Sequence, residues 1–215
     1  MNTTTIKIAS DIVCPWCIIG YKRLEKAMEE LGVKDQVELE WIPFELNPNM
    51  SKDGQDLYEH LSEKYGTTFE QQEQSQMQLS AIAHELGFEF NFYSGIKMFN
   101  TREAHVLLDF AKEYGKQTEL NTRFITAHYT EKQDISNRVG LLKEVATIGL
   151  DKEKALARLN NENAIYKVVQ ESKHWQGLGV RSTPTFIFED MSAIQGAQPV
   201  EVFKNAISKI INPEQ

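Results

Sequence analysis

Ile6-Lys7-Ile8-Ala9-Ser10-Asp11-Ile12-Val13-Cys14-Pro15-Trp16-Cys17 is the stretch on which the reading of this chain turns. The β-branched run from Ile6 to Ile8 predicts a strand, and Ser10-Asp11 predicts a turn after it. A helical pattern then opens at once. Tyr21, Leu24, Met28 and Leu31 recur at three- and four-residue steps, while Lys22, Arg23, Glu25, Lys26, Glu29 and Glu30 fall off that stripe. Gly32 follows, where a helix C-terminus is expected. The two cysteines therefore sit where a strand meets the N-terminus of an amphipathic helix.

That placement has chemical consequences. Unpaired backbone N–H groups and the positive end of the helix dipole stabilise a thiolate there, lowering its pKa below the free value of about 8.5. Pro15 suits the first helical turn, since it has no N–H to leave unsatisfied and its φ is already helical. The two-residue gap lets the sulfurs close a small disulfide ring. Cys14, nearer the helix end and solvent, is the expected nucleophile, and Cys17, one turn in, the resolving thiol. A zinc or iron–sulfur site would ordinarily need four ligands. The chain has only two cysteines, and His60, His84, His105, His128 and His174 show no paired ligand spacing, so no metal is expected. A structural disulfide across so short a loop would add little stability.

The 215 residues suffice for one large domain or a domain with an insertion. Composition is ordinary for a globular protein, 41% hydrophobic and 25% charged. A net charge of −8 argues against nucleic acid or an anionic membrane surface as partner. No apolar run reaches the roughly 20 residues that span a bilayer. The start, Met-Asn-Thr-Thr-Thr-Ile-Lys, lacks a basic segment followed by an apolar signal core, so a cytoplasmic location is expected.

After the first helix, Val37-Glu38-Leu39-Glu40-Trp41-Ile42 alternates like a strand, completing a β–α–β unit that Pro43 and Pro48 stop. The alternation leaves Glu38 and Glu40 exposed, and neither is assigned as a buried proton acceptor. Helical patterns then dominate, over 57–65, 69–86, 102–114, 119–129, 138–148 and 152–159, the last after Asp151 as N-cap. Gln71-Gln72-Glu73-Gln74-Ser75-Gln76 reads as a solvated helix face. Phe88, Phe90 and Phe92 alternate along an extended segment, either as core between helices or as a wall beside the active site. A further helix precedes the return of strand character at Thr185-Phe186-Ile187-Phe188, which pairs through a turn with 193–196. An amphipathic helix from Val200 to Ile211 closes the chain. The expected division is a discontinuous unit of residues 1–48 and 166–215, with residues 49–165 inserted as helices.

Thr183-Pro184 stands just before the late strand, and proline cannot donate to a sheet ladder. Cys14-Pro15-Trp16-Cys17 after a first strand, with Thr183-Pro184 before a late hairpin, resembles the thioredoxin superfamily. The helical insertion is similar to that of the DsbA family. Ser10-Asp11-x-x-Cys14, Phe44-x-Leu46-Asn47-Pro48 and Asn100-Thr101-x-x-Ala104-His105 resemble its cytoplasmic FrnE-like branch, over nearly the whole chain.

The resemblance implies an α/β thioredoxin fold with a helical insertion between its β–α–β half and its ββα half. It implies a thiol–disulfide oxidoreductase, or disulfide isomerase, acting on protein or peptide disulfides through Cys14 and Cys17. Pro15, Trp16, Asp11, Thr183 and Pro184 would support the site. Thr183–Pro184 would be cis and packed on Cys14, and the Thr183 backbone would pair with an extended substrate. Phe44, Asn100 and His105 are further substrate-binding candidates, although for His105 a structural hydrogen bond is the plainer expectation. No cofactor is implied beyond the cysteine pair; glutathione or a thioredoxin-type protein is a candidate reductant. Two rival functions stand beside this one. One is a glutathione-dependent isomerase or transferase similar to 2-hydroxychromene-2-carboxylate isomerase, against which the presence of both cysteines argues. The other is a peptide-binding, chaperone-like module whose cysteines are redox-inactive.

Overall fold

The structure is a computed structural model that describes residues 3–211. Met1, Asn2 and residues 212–215, the outer ends of the expected thioredoxin-like unit, lie outside the described residues. The β–α–β unit forms as its pattern predicts. β1 (Thr4–Ser10) and β2 (Val37–Pro43) pair in parallel, with Ile8 opposite Trp41 and Ser10 opposite Pro43. Between them α1 (Pro15–Glu30) begins on its proline and buries Ile18, Tyr21, Leu24 and Met28 as a stripe. Gly32, with φ +67°, supplies the left-handed residue that turns the chain back towards β2.

The inserted segment is helical, with one exception that local pattern could not show. β3 (Gln55–Asp56) pairs antiparallel with β4 (Lys97–Met98), two residues each. Between and beyond them run α2 (Leu57–Tyr65), α3 (Phe69–Glu85), α4 (Arg102–Lys112), α5 (Gln117–Tyr129), α6 (Arg138–Thr147), α7 (Lys152–Leu159) and α8 (Glu162–Gly177). Several of them start on side-chain caps, among them Asp56 for α2, a Thr68–Gln71 capping box for α3, and Asp151 for α7 as expected, whereas α4 and α5 have none. The chain then adds β5 (Thr185–Ile187) and β6 (Ala193–Gln195) as an antiparallel hairpin, and closes with α9 (Val200–Ile211). β5 pairs antiparallel with β1, so the sheet order is β2-β1-β5-β6.

Period-two alternation divides the sheet between two cores. Ile6, Ile8, Trp41 and Phe186 join the main core, which also holds buried residues of α1, α9 and most inserted helices. Ala9, Ile42 and Ile187 face the other way onto Trp175 of α8, with Val180 and Phe44. The insertion also closes the free edge of β2. The Gln117 side chain accepts from Trp41 N and donates to Trp41 O, both at 2.9 Å, like one residue of an added strand. Trp41 Nε1 donates to Thr118 Oγ1 at 2.9 Å. The helices are thus bonded to the strand that neighbours β1, the strand from which the chain turns to Cys14. No helix among the described residues is long and apolar enough to cross a membrane.

Candidate active site

The turn leaving β1 places both sulfurs. Cys14 N donates to Asp11 O at 3.1 Å, and Cys17 N donates to Cys14 O at 3.0 Å, so Cys14 is the N-cap residue of α1 and Cys17 lies inside its first turn. Both are free thiols. Cys17 is fully buried, whereas Cys14 keeps 6% of its surface exposed. Tyr129 of α5 donates its hydroxyl to Val13 O at 2.8 Å, fastening the insertion to the same turn.

The two thiols are driven apart in acidity. A hydrogen bond from the Cys17 thiol is the largest influence on Cys14 and, with one from Thr183, holds it below the ordinary thiol value against burial and the Asp11 charge. Burial is the largest influence on Cys17 and pushes its thiol well up; a charged Cys14 beside it acts in the same sense. From its position in the sequence, Cys14 is expected to owe its acidity to the helix N-terminus. In the structure the partner thiol is the dominant cause, which is itself a consequence of the two-residue spacing.

Thr183–Pro184 is a cis peptide, and Cys14 Sγ lies 3.8 Å from Thr183 O, within reach of a weak S–H donation. The cis loop lies against α1 because Gly20 has no side chain. A Cβ there would meet Phe186 Cζ at 2.9 Å and Pro184 Cγ at 3.0 Å. Gly20 was invisible as a site residue: a glycine in a helical pattern carries no mark of what approaches it.

Cys14, Pro15, Trp16 and Thr183 line one cleft of about 500 Å³, within the ~300–1,000 Å³ range of small-ligand sites. Its apolar wall includes Val13, Leu46, Leu57, Leu79, Phe92 and Met98, and Tyr129 closes it. Trp16, at 43% exposure, and Tyr65, at 62%, stand at its rim. The aromatic segment serves both expected roles. Phe88 and Phe90 are core, with rings 5.0 Å apart, while Phe92 stacks on Phe90 at 5.2 Å and lines the cleft. The Gln-rich tract departs from a purely solvated face: Gln72 is buried against the cleft and donates to Tyr58 O and Thr67 Oγ1 at 3.1 and 3.0 Å.

The other candidate residues fall into supporting positions. Asp11 is buried; Oδ2 accepts from Leu46 N at 2.7 Å, and Oδ1 lies 3.6 Å from His105 Nε2. His105 is buried too and makes no hydrogen bond through Nε2. Asn100 donates to Pro48 O and Met50 O at 3.2 and 3.4 Å and accepts from Arg102 N, tying the loop after β2 to the start of α4. Phe44 packs in the core on the far face of the sheet. Neither Phe44, Asn100 nor His105 lines the cleft beside Cys14. A larger cavity of about 1010 Å³, lined by Asn100 and Arg138 among others, contains neither cysteine. Glu40, on β2, is paired with Lys112 at 2.5 Å. Among the described residues no three His, Cys, Asp or Glu side chains are grouped to hold a metal ion.

This geometry can be set beside known proteins. The model of the DSBA-like thioredoxin domain family matches residues 5–208. The protein YwbO of Bacillus subtilis (strain 168), itself described as uncharacterized, is 36% identical over 209 residues, covering 96% of each chain. The crystal structure of the "probable DsbA oxidoreductase SCO1869" from Streptomyces coelicolor superposes with a TM-score of 0.91 at 30% identity, over 99% of this chain and 91% of that one. The cytosolic disulfide reductase DsbM from Pseudomonas aeruginosa, solved with GSH, shares the fold with a TM-score of 0.66 at 18% identity, over 96% of this chain and 98% of that one.

Proposed function

Because the chain belongs to the DSBA-like thioredoxin domain family, we propose that it is a cytoplasmic thiol–disulfide oxidoreductase of the FrnE-like kind, reducing or isomerising protein or peptide disulfides. The observation that carries this reading is Cys14: an acidic thiol at a helix N-terminus, beside a second thiol and 3.8 Å from the carbonyl of Thr183, at the edge of an apolar cleft.

The Cys14 thiolate attacks one sulfur of the substrate disulfide, and the other sulfur leaves as a thiolate that takes up a proton. Cys17 then loses its proton and displaces the substrate sulfur from Cys14. The substrate gains two electrons and two protons, and the protein is left with a Cys14–Cys17 disulfide. The unequal acidities suit this order, since Cys14 is ionised first while Cys17 waits as a thiol. The Thr183 backbone aligns an extended substrate beside Cys14. A thiol donor, either glutathione or a thioredoxin-type protein, returns the pair to the dithiol; the presence of GSH in the DsbM structure favours glutathione.

Single-cysteine variants test this reading. Cys14→Ser should abolish exchange, and Cys17→Ser should accumulate mixed disulfides with substrate that mass spectrometry detects. Full exchange by Cys14→Ser would refute the assignment. Isomerisation of a glutathione-dependent substrate that survives Cys17→Ser would favour the isomerase alternative.

A further inference from the structure

The cleft beside Cys14 has a charge bias opposite to that of the chain. Asp and Glu outnumber Lys and Arg by 31 to 23 overall, yet no carboxylate lines the cleft. Its charged side chains are Lys64 and Arg181. His60, the remaining titratable base of the lining, is shifted towards its neutral form by burial and by the Lys64 charge. Lys64 Nζ donates to Asn47 Oδ1 at 2.7 Å and Leu46 O at 3.2 Å, which hold it in place without neutralising it.

Arg181 is the more telling cation. Arg102, Arg123, Arg138 and Arg158 each meet a carboxylate, and Arg23 donates to Ala197 O. Among the described residues Arg181 alone of the arginines has neither kind of partner, and it is exposed. It stands two residues before Thr183, in the loop that faces Cys14. A guanidinium presents a planar fork of donors that suits a carboxylate.

We propose that the cleft selects carboxylate-bearing cysteine peptides, with Arg181 as the docking cation beside the reacting sulfur and Lys64 as a second. The apolar wall holds the peptide body, and the two lining cations draw in its acidic group. This rests on the disulfide-exchange reading and names the substrate class of that site. A free disulfide such as oxidised glutathione and an acidic segment of a protein share this chemistry.

The test compares kcat/KM for four disulfides in the full-length wild type and in Arg181→Glu: uncharged hydroxyethyl disulfide, oxidised glutathione, and two peptide disulfides of equal length flanked by glutamates or by lysines. The wild type should prefer the acidic peptide. Measured relative to hydroxyethyl disulfide, which corrects for any change in Cys14 itself, Arg181→Glu should lower that value by on the order of tenfold and raise the value for the lysine peptide. Oxidised glutathione falling with the acidic peptide identifies a small anionic disulfide as a substrate; glutathione unchanged while the acidic peptide falls identifies a protein segment. No peptide preference in the wild type, or an equal change for all four disulfides in Arg181→Glu, would overturn the proposal. Absence of exchange with hydroxyethyl disulfide in the wild type would instead refute the exchange reading on which it stands.

Discussion

Replacing Gly20 by alanine sets two effects of opposite sign against each other. In an ordinary helix interior the change stabilises by about 0.8–1 kcal/mol. Here the new Cβ would stand 2.9 Å from Phe186 Cζ, 3.0 Å from Pro184 Cγ and 3.2 Å from Phe186 Cε2. All three lie inside the ~3.5–4.0 Å optimum for carbon contacts. The ring cannot easily yield, since Phe186 is fully buried with its centroid 4.7 Å from that of Phe203. Overpacking of this kind costs about 1–3 kcal/mol. The clash therefore wins or cancels the gain, giving a net loss of about 0–2 kcal/mol. At about 2–4 °C per kcal/mol for a chain of this size, Tm should fall by about 3 °C at the midpoint of that range. Pro184 must also move by a few tenths of an ångström, carrying Thr183 with it, so kcat/KM for a small disulfide should drop by about fivefold. Calorimetry and exchange kinetics on Gly20→Ala read both quantities, and a double-mutant cycle with Phe186→Leu should recover part of the loss. A Tm raised by the propensity gain alone, with unchanged kinetics, would show that α1 and the Pro184 loop do not approach as described.

Two other buried groups give pH-dependent outcomes. His128 is buried with neither ring nitrogen hydrogen-bonded, and burial lowers its pKa from 6.5 to about 4. The unfolded chain therefore binds the extra proton first as pH falls: stability is intact above 6.5 and lost progressively towards 4. By linkage the loss is about 3 kcal/mol by pH 4. His128→Phe keeps a ring against Phe99 and Tyr129 and should remove this part of the acid sensitivity in urea titrations at pH 7 and 4; an unchanged pH 4 deficit would contradict it. Asp11 opposes ionisation of Cys14 through its charge. Asp11→Asn keeps an acceptor for Leu46 N and should move the midpoint of Cys14 alkylation to lower pH, so the variant reacts faster on the acid side; a midpoint moved upward would refute that.

The parts legible in the sequence were those written in local periodicity. The stripe Tyr21-Leu24-Met28, the proline opening α1, Asp151 before α7 and the late hairpin each carry their signal within a few residues, and the structure places them accordingly. The placement of Cys14 and Cys17 is legible for the same reason, since strand, turn and helix N-terminus are contiguous. What stayed hidden is long-range. β3 and β4 are two residues long and meet across some forty positions, too short for any period to register. Gln72 reads as one more polar residue in a glutamine tract until Thr67 and Tyr58 are brought against it. Phe44 and Asn100 share a motif-like neighbourhood with the site, yet the chain turns them into a core and a loop tie. Arg181 shows nothing until every other arginine is seen to be engaged.

The proposed exchange depends on Cys14 and Cys17 interconverting as one dithiol/disulfide couple. The direct measurement is equilibration of the full-length protein with graded glutathione buffers, followed by acid quench, alkylation of free thiols and intact mass. Both thiols should disappear together into one intramolecular disulfide, with a midpoint between about −270 and −120 mV. Two thiols that stay free across that range, or a stable glutathione adduct on Cys14 with Cys17 still alkylated, would contradict it.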